Sequence, residues 1–306
     1  MQLLRYIIFT TIISSLFISC DSSEKNTLAI HSEIKTEVNT SKVRVVSEEF
    51  KNYWYNGTAE ITSYKLTQER YGELREGTSV NIFVTEDFLP KVQVKANKRS
   101  PKNIPVLKLN NTKKYLTGIS PYSVMTSTFS PVQTADHALK ITHSMQEWCG
   151  QVYVQLNNKR GFEIQAHSYF EGEADQKINL PKSWMESDLW NRLRINPQEL
   201  PTGDLRILPS FEYFRMSHKK IAIHTATGNL VKGDSISVYS LSYTDLNREL
   251  KIYFSSDFPY TIERWEETHA NGLKTIAVKM KRMRSAYWGQ NSNKYLSLRD
   301  SLGLGI

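Results

Sequence analysis

The chain has 306 residues, 40% of them hydrophobic, enough for one large domain or two small ones with a real core. Its net charge of +8 is spread along the sequence and not gathered into a basic arm, so no nucleic-acid partner is expected. Aromatic residues make up 11% of the chain, a composition that favours strands over helices.

In chain order, the first element is an export signal at residues 1–19. Arg5 and the amino terminus form a short positive region, and Tyr6 to Phe17 carries no charge. That stretch falls short of the about 20 apolar residues a spanning helix needs. It fits the hydrophobic region of a signal peptide. The run ends Leu16-Phe17-Ile18-Ser19-Cys20 before Asp21-Ser22-Ser23-Glu24. This resembles a lipobox, with Phe17 departing from the usual leucine. The resemblance implies that Cys20 receives lipid and becomes the mature N-terminus, and that the membrane is the first partner. Residues 20–42 are polar, lack aromatics and read as a flexible tether. With Cys20 committed to lipid, Cys149 stands alone, so no internal disulfide and no cysteine zinc site is expected.

The folded part is expected from residue 43 to 306 as a single β-rich domain, with a division near residue 180 as the alternative. Glu48 to Trp54 reads as a short helical turn with an aromatic face, followed by an Asn56-Gly57 turn. Val80, Ile82 and Val84 alternate with Asn81, Phe83 and Thr85, and Val92 and Val94 with Gln93 and Lys95. Val106, Leu107 and Leu109 read as a strand running into an Asn110-Asn111 turn. Val152, Val154 and Leu156 share one face of a strand that a hairpin loop at 157–161 joins to Phe162, Ile164 and Ala166. Ser183 to Arg194 has near-helical spacing between Pro181 and Pro197. Ile236–Tyr243, Leu250–Phe254 and Lys274–Met280 continue the two-residue period, with Asn271-Gly272 as a type I′ turn signal. Lys279, Lys281, Arg282 and Arg284 read as the wet face of a strand, and Ser292 to Leu302 as a short closing helix. The expected class is mainly β: a large antiparallel curved sheet or half-barrel-like meander with a few short helices.

Catalytic signatures are sparse. None of the seven histidines has the His-Glu-x-x-His spacing of a zinc protease, and no metal site is expected. His167 and His218 fall in predicted strands or at their ends. The nucleophile elbow, phosphate-loop and dinucleotide-loop patterns do not occur, and no cofactor is expected. The acidic pairs Glu86-Asp87, Glu171-x-Glu173 and Glu266-Glu267 sit beside predicted turns and read as solvated. Cys149 is the sole candidate reactive thiol, with His143 six residues before it. The aromatic groups Tyr53-Trp54-Tyr55, Phe211-x-Tyr213-Phe214, Tyr253-Phe254 and Tyr287-Trp288 read as sheet core first and ligand surface second.

Phe50-Lys-Asn-Tyr-Trp-Tyr-Asn-Gly-Thr-Ala-Glu-Ile-Thr-Ser-Tyr64, Arg70-Tyr-Gly-Glu-Leu-Arg-Glu-Gly77 and Leu116-Thr-Gly-Ile-Ser-Pro-Tyr-Ser-Val-Met-Thr-Ser127, taken with the lipobox, resemble an uncharacterised family of Bacteroidota lipoproteins. Some of its members carry the name "septum formation inhibitor Maf". That name implies a nucleotide pyrophosphatase, but the Ser-x-Ser-Pro-Arg-Arg-like loop of Maf enzymes is not in this chain. Leu250-Lys-Ile-Tyr-Phe254 through Pro259-Tyr-Thr-Ile-Glu-Arg-Trp-Glu-Glu267 is similar to envelope proteins whose half-barrel holds lipid in a concave apolar face. Together these imply a cell-envelope lipoprotein, anchored at the outer membrane, that binds an apolar ligand or an envelope partner. An envelope hydrolase using Cys149 is the alternative, followed by the Maf-type pyrophosphatase.

Overall fold

The computed structural model describes Val43 to Gly305. The signal peptide, Cys20, the tether and His31 lie outside the described residues. Val43 forms a bridge to Thr134, and Arg44 N–H donates to the Gln133 carbonyl at 2.8 Å. Helix α1 (Glu48–Trp54) follows where the sequence predicts it. Ser47 caps it by accepting from Phe50 N–H at 3.1 Å, and Phe50 and Trp54, four residues apart, bury one face.

The first run of strands is β1 (Ala59–Arg70), β2 (Glu73–Leu89), the two-residue β3 (Val94–Lys95), β4 (Ile104–Thr117), β5 (Ser120–Pro131), β6 (Lys140–Glu147), β7 (Gly150–Asn158), β8 (Phe162–Ser168) and β9 (Gln176–Leu180). Then β10 (Trp184–Met185) leads into helix α2 (Glu186–Ile195), β11 (Gly203–Leu208) and helix α3 (Phe211–Ser217). A second run, β12 (His224–Val231), β13 (Ile236–Tyr243), β14 (Arg248–Ser255), β15 (Ile262–Thr268) and β16 (Lys274–Ser285), ends with the short helix α4 (Leu298–Ser301).

These strands make one sheet, ordered β10 to β16, then β1, β2, and β4 to β9, with β3 beside β2. Every pairing is antiparallel except the two-residue β10–β11 pair. The class read from alternation is therefore the observed one: mainly β, one curved antiparallel sheet, few helices. Both sides of residue 180 belong to it. Its edges β9 and β10 follow one another in the chain, and no ladder joins them among the described residues. Leu180 and Trp184 are four residues apart, a span of at most about 14 Å, so the edges approach each other there.

Helix α2 shows how far the sheet curls. A ten-residue helix is about 15 Å long. Its side chains reach Arg248 on β14, Glu60 on β1 and Ser130 on β5. β14 and β5 stand six places apart, about 29 Å across a flat sheet at about 4.8 Å per strand. Only a sheet wrapped around the helix brings both within reach. The main core lies between that concave face and the helices, built on Leu66, Phe83, Leu107, Leu156, Leu189 and Leu193 among others.

The opposite face of β1 is also covered. Glu60 points to α2, so by strand alternation Ala59 and Ile61 point outward. There they pack with Val84, Leu302 and Leu304 in a second, smaller core, and Ser63 Oγ donates to the Leu302 carbonyl at 2.5 Å. The predicted closing helix is a 3₁₀ turn at Asn293–Tyr295 followed by α4, and it works as a cover on the outside of the sheet.

Several expectations are corrected. Asn110-Asn111 is mid-strand, not a turn: Ser127 Oγ donates to Asn110 at 2.7 Å and Asn111 Nδ2 to Asn81 at 2.6 Å, so neighbouring strands satisfy both amides. Val92 and Val94 do not form a half-buried strand face; both are exposed and only Val94 pairs. At Asn271-Gly272 only Gly272 has positive φ (82°), while His269 and Leu273 close the loop, so the connection is a three-residue loop with a bulge and not type I′. His218 is the left-handed C-cap of α3 (φ 52°), not a strand residue. Glu86-Asp87 and Glu266-Glu267 lie inside β2 and β15, not in solvated loops.

Candidate functional sites

The concave face is filled with charge. In Glu186-Ser-Asp-Leu-Trp-Asn-Arg-Leu-Arg-Ile195 every residue but Trp190 is buried. Burial of so many ions is tolerable only when each is paired. At the helix start, Arg248 donates to both Glu186 oxygens at 2.5 and 2.8 Å and to Glu267 at 2.5 Å, and Tyr243 donates to Glu186 at 2.7 Å. In the middle, Asp188 accepts from Arg192 at 2.8 Å and Ser130 at 2.5 Å, and Arg192 reaches the Ala135 and Asp136 carbonyls. Asn191 Nδ2 donates to the Leu107 and Thr128 carbonyls and to Ser130. At the helix end, Arg194 forks onto Glu60 at 2.6 and 2.8 Å over the rings of Trp54 and Phe83, with Tyr53 also donating to Glu60.

Electrostatics follow the geometry. Burial alone would raise Glu267, but Arg248, with His269 and Lys113 behind it, holds its carboxyl at about 2. Burial likewise works against Glu60 and is overridden by Arg194. His137 faces Asp188 at 4.0 Å, yet burial and then Arg192 push it down to about 4, so it is neutral and the contact is not an ion pair. Ser130, Asp188 and His137 do not form a nucleophilic relay, because the carboxylate sits between the other two and is already neutralised by Arg192.

One space inside is about 50 Å³, lined by Trp190, Trp265 and Leu250 together with Glu186, Glu267 and Lys113. That accommodates a few waters, against the hundreds of cubic ångströms of ordinary ligand sites. Helix α2 thus stands where the half-barrel likeness implies an apolar ligand. A larger space of about 290 Å³ lies next to it, sharing Glu212 and Glu267 and edged by Glu69, Lys219, His269 and Asn271.

The outer surface carries two wider grooves at opposite ends of the strands. The first, about 670 Å³, lies at the end marked by four hairpin tips: Tyr71-Gly72, Gly118-Ile119, Trp148-Cys149 and the loop 169–175. The tips are in contact. Tyr71 and Tyr122 hydroxyls lie 3.1 Å apart, Trp148 N–H donates to Ser120 at 3.3 Å, and the Tyr169 ring covers Gly150. Turns are ordinarily polar. Here the tips and the strand ends beside them expose Tyr71, Leu74, Leu116, Ile119, Trp148 and Tyr169, with Ile119 81% and Tyr169 78% accessible. The second groove, about 870 Å³, lies at the other end, beside the point where the described chain begins, and is edged by Tyr55, Trp288, Glu86, Asp87, Lys95, Lys98 and Arg99.

Cys149 sits on one of the apolar tips and is exposed. A hydrogen bond with Glu147 and that residue's charge push its thiol up, away from the activated state of a nucleophile. His143, six residues back, is buried and bonded to Thr126. The two are not brought together. The native protein is expected to label fully at Cys149 with Ellman's reagent, with the rate rising only on the alkaline side of a free cysteine's profile. A fast, pH-independent reaction near neutrality would contradict this.

Among the acidic pairs, Glu173 binds Arg215 and His218, Glu86 binds Lys95 and Lys108, and Glu267 belongs to the buried network. Of the aromatic groups, Trp54, Phe211, Phe214 and Phe254 are core, while Trp288 is exposed on the second groove. The basic stretch of β16 is laced to neighbours through Lys279–Glu263, Arg282–Thr261 and Arg284–Asn56. No group of histidine, cysteine and acidic residues with metal-binding geometry occurs among the described residues. Sequence reading did not find the buried network or the apolar tips. The tips had a usable signal, apolar residues at turn positions. The network had none, because its partners are far apart in the chain.

No protein-family model matches this chain, and no curated protein does. Among solved structures, a crystal structure described as a beta-barrel-like protein of domain of unknown function DUF1849 from Brucella abortus aligns with it. That alignment covers 80% of this chain and 100% of that one, at 8% identity and a TM-score of 0.48.

Proposed function

We propose that this is a lipid-anchored cell-envelope protein that acts by binding, and that its partner docks on the exposed apolar hairpin tips and not inside the curved sheet. One observation carries the docking half: six large apolar side chains stand exposed at the neighbouring hairpin tips and the strand ends beside them, next to a groove of about 670 Å³. Contiguous exposed apolar surface of this kind marks interaction sites. The filled concave face supports an envelope partner over an enclosed apolar ligand. The anchor half rests on the lipobox-like residues and on the family resemblance of the quoted segments, which together favour the outer membrane.

Two measurements test the halves separately. Mass spectrometry of the natural protein is expected to find an acylated Cys20 at the N-terminus, and Cys20→Ser is expected to abolish the acyl mass. An unprocessed Met1 start, or a bare cysteine, overturns the anchor. A photocrosslinking residue at Ile119 is expected to give a discrete adduct in intact cells, and the same residue at exposed Glu163 none. Silence at Ile119, or equal adducts at both, overturns the docking face.

A further inference from the structure

At the other end of the strands the surface has a different chemistry. Between Pro90 and Asn103 the chain carries Lys91, Lys95, Lys98, Arg99 and Lys102 and no acidic residue. All five are exposed. The segment is held to the sheet: Gln93 N–H donates to the Leu89 carbonyl, Ala96 N–H to Asp87, and Gln93 and Ala96 are buried. Acidic neighbours are few. Glu86 binds Lys95 and Lys108, and Asp87 lies 3.8 Å from Arg99. Lys91, Lys98 and Lys102 make no ion pair among the described residues.

Apolar side chains stand among these cations. Val92 is 63% exposed, Val94 46%, and Trp288 49%, the last on the same groove as Lys95, Lys98 and Arg99. Gln133, whose carbonyl holds Arg44, lines that groove too. So this is the face at which the described chain begins, with Val43 23 residues from Cys20, a reach of at most about 83 Å.

We infer that this face is a docking surface for an anionic bilayer, on which Lys91, Lys98, Arg99 and Lys102 meet lipid phosphates while Trp288 and the two valines enter the headgroup layer. The inference rests on the anchor reading for its purpose, but not for its test. Cations beside exposed Trp and Val match the interfacial layer of a membrane, where basic residues are attracted to acidic lipids and indole rings settle at headgroup depth.

The test uses the mature chain from residue 20 carrying Cys20→Ser, so that neither an acyl group nor the apolar residues 6–17 contribute, sedimented with vesicles of phosphatidylglycerol and phosphatidylcholine or of phosphatidylcholine alone. Binding is expected to the anionic vesicles only and to weaken with salt. Replacing Lys91, Lys98, Arg99 and Lys102 with serine is expected to lower it at least about tenfold. Removing Lys65, Lys159, Lys177 and Lys251 instead, the same charge from other faces, is expected to leave it nearly unchanged. Brominated lipid is expected to quench fluorescence that Trp288→Phe removes. Equal loss in both charge-removal variants, binding to neutral vesicles, or stronger binding to a soluble polyanion than to vesicles overturns the docking surface. A bare Cys20 in the natural protein, with the vesicle results intact, overturns the anchor reading alone.

Discussion

Arg248→Met is expected to cost the fold at least about 3–5 kcal/mol, the range for removing one partner of a buried ion pair. Urea unfolding followed by tryptophan fluorescence measures it. Arg248 is 1% exposed and holds two carboxylates at once, Glu186 at the head of α2 and Glu267 on β15. Without the guanidinium, both acids remain buried with no cation in reach of Glu186, and Tyr243 is left donating to an uncompensated charge. Glu267 then loses the cation that opposes the effect of its burial, and a carboxylate in that position is costly whether it stays charged or takes up a proton near neutral pH. Domains are commonly stable by about 5–15 kcal/mol, so this one change consumes a large share. Methionine roughly keeps the volume, so the loss is electrostatic. Adding Glu186→Gln is expected to recover part of it, and the double-mutant cycle reads the coupling. Arg248→Lys is expected to fall between, because an ammonium cannot fork onto Glu186 while also reaching Glu267. A loss below about 1 kcal/mol for Arg248→Met would mean the network is not what seats α2 in the sheet.

That network also marks where the sequence stops being readable. Strands with one packed and one wet face announce themselves: Val152, Val154 and Leu156 are buried in turn, and the alternate residues Gln151 and Tyr153 are exposed. The helix at Glu186–Ile195 is legible from Leu189, Trp190 and Leu193 between two prolines. Its burial is not. Four of its ten residues are charged, and charge in a single sequence reads as solvent. The partners that reverse that reading lie 62 residues away for Arg248 and 134 for Glu60, distances no local pattern spans. For the same reason Glu266-Glu267 reads as a wet pair, when strand alternation sends Glu267 into the core network. Asn110-Asn111 fails differently. Adjacent asparagines favour turns in isolation, but here flanking strands supply their hydrogen bonds and the 14-residue β4 runs straight through.

Acid is expected to unfold this protein in two stages, the first beginning well above the carboxylate range. His137 and His143 are buried, and burial first, then neighbouring cations, lowers them to about 4 and about 3. An unfolded histidine titrates near about 6.5. Between those values the unfolded chain binds protons that the folded chain refuses, so stability is fully present above about 6.5 and is lost as pH falls toward the folded values. By pH 5 each histidine is expected to remove about 2 kcal/mol. The second stage comes from Glu267, Glu60 and Glu199, all lowered by paired arginines against the opposing effect of burial. Their contribution is present above the ordinary glutamate value of about 4.3 and is lost below it, down to about 2 for Glu267. Substitution separates the stages. The His137 ring has no hydrogen-bond partner and packs edge-on to Trp184, so His137→Phe removes the proton and keeps the contact. His143 bonds Thr126 through Nδ1 at 3.0 Å, a bond His143→Asn can reproduce. The double variant, unfolded in urea at a series of pH values, is expected to hold its midpoint between pH 7 and 5 while the parent protein's falls, and both are expected to fail together below about 4. A parent protein equally stable at pH 7 and 5 would show that water reaches these rings and that the sheet is less tightly closed on α2 than its contacts imply.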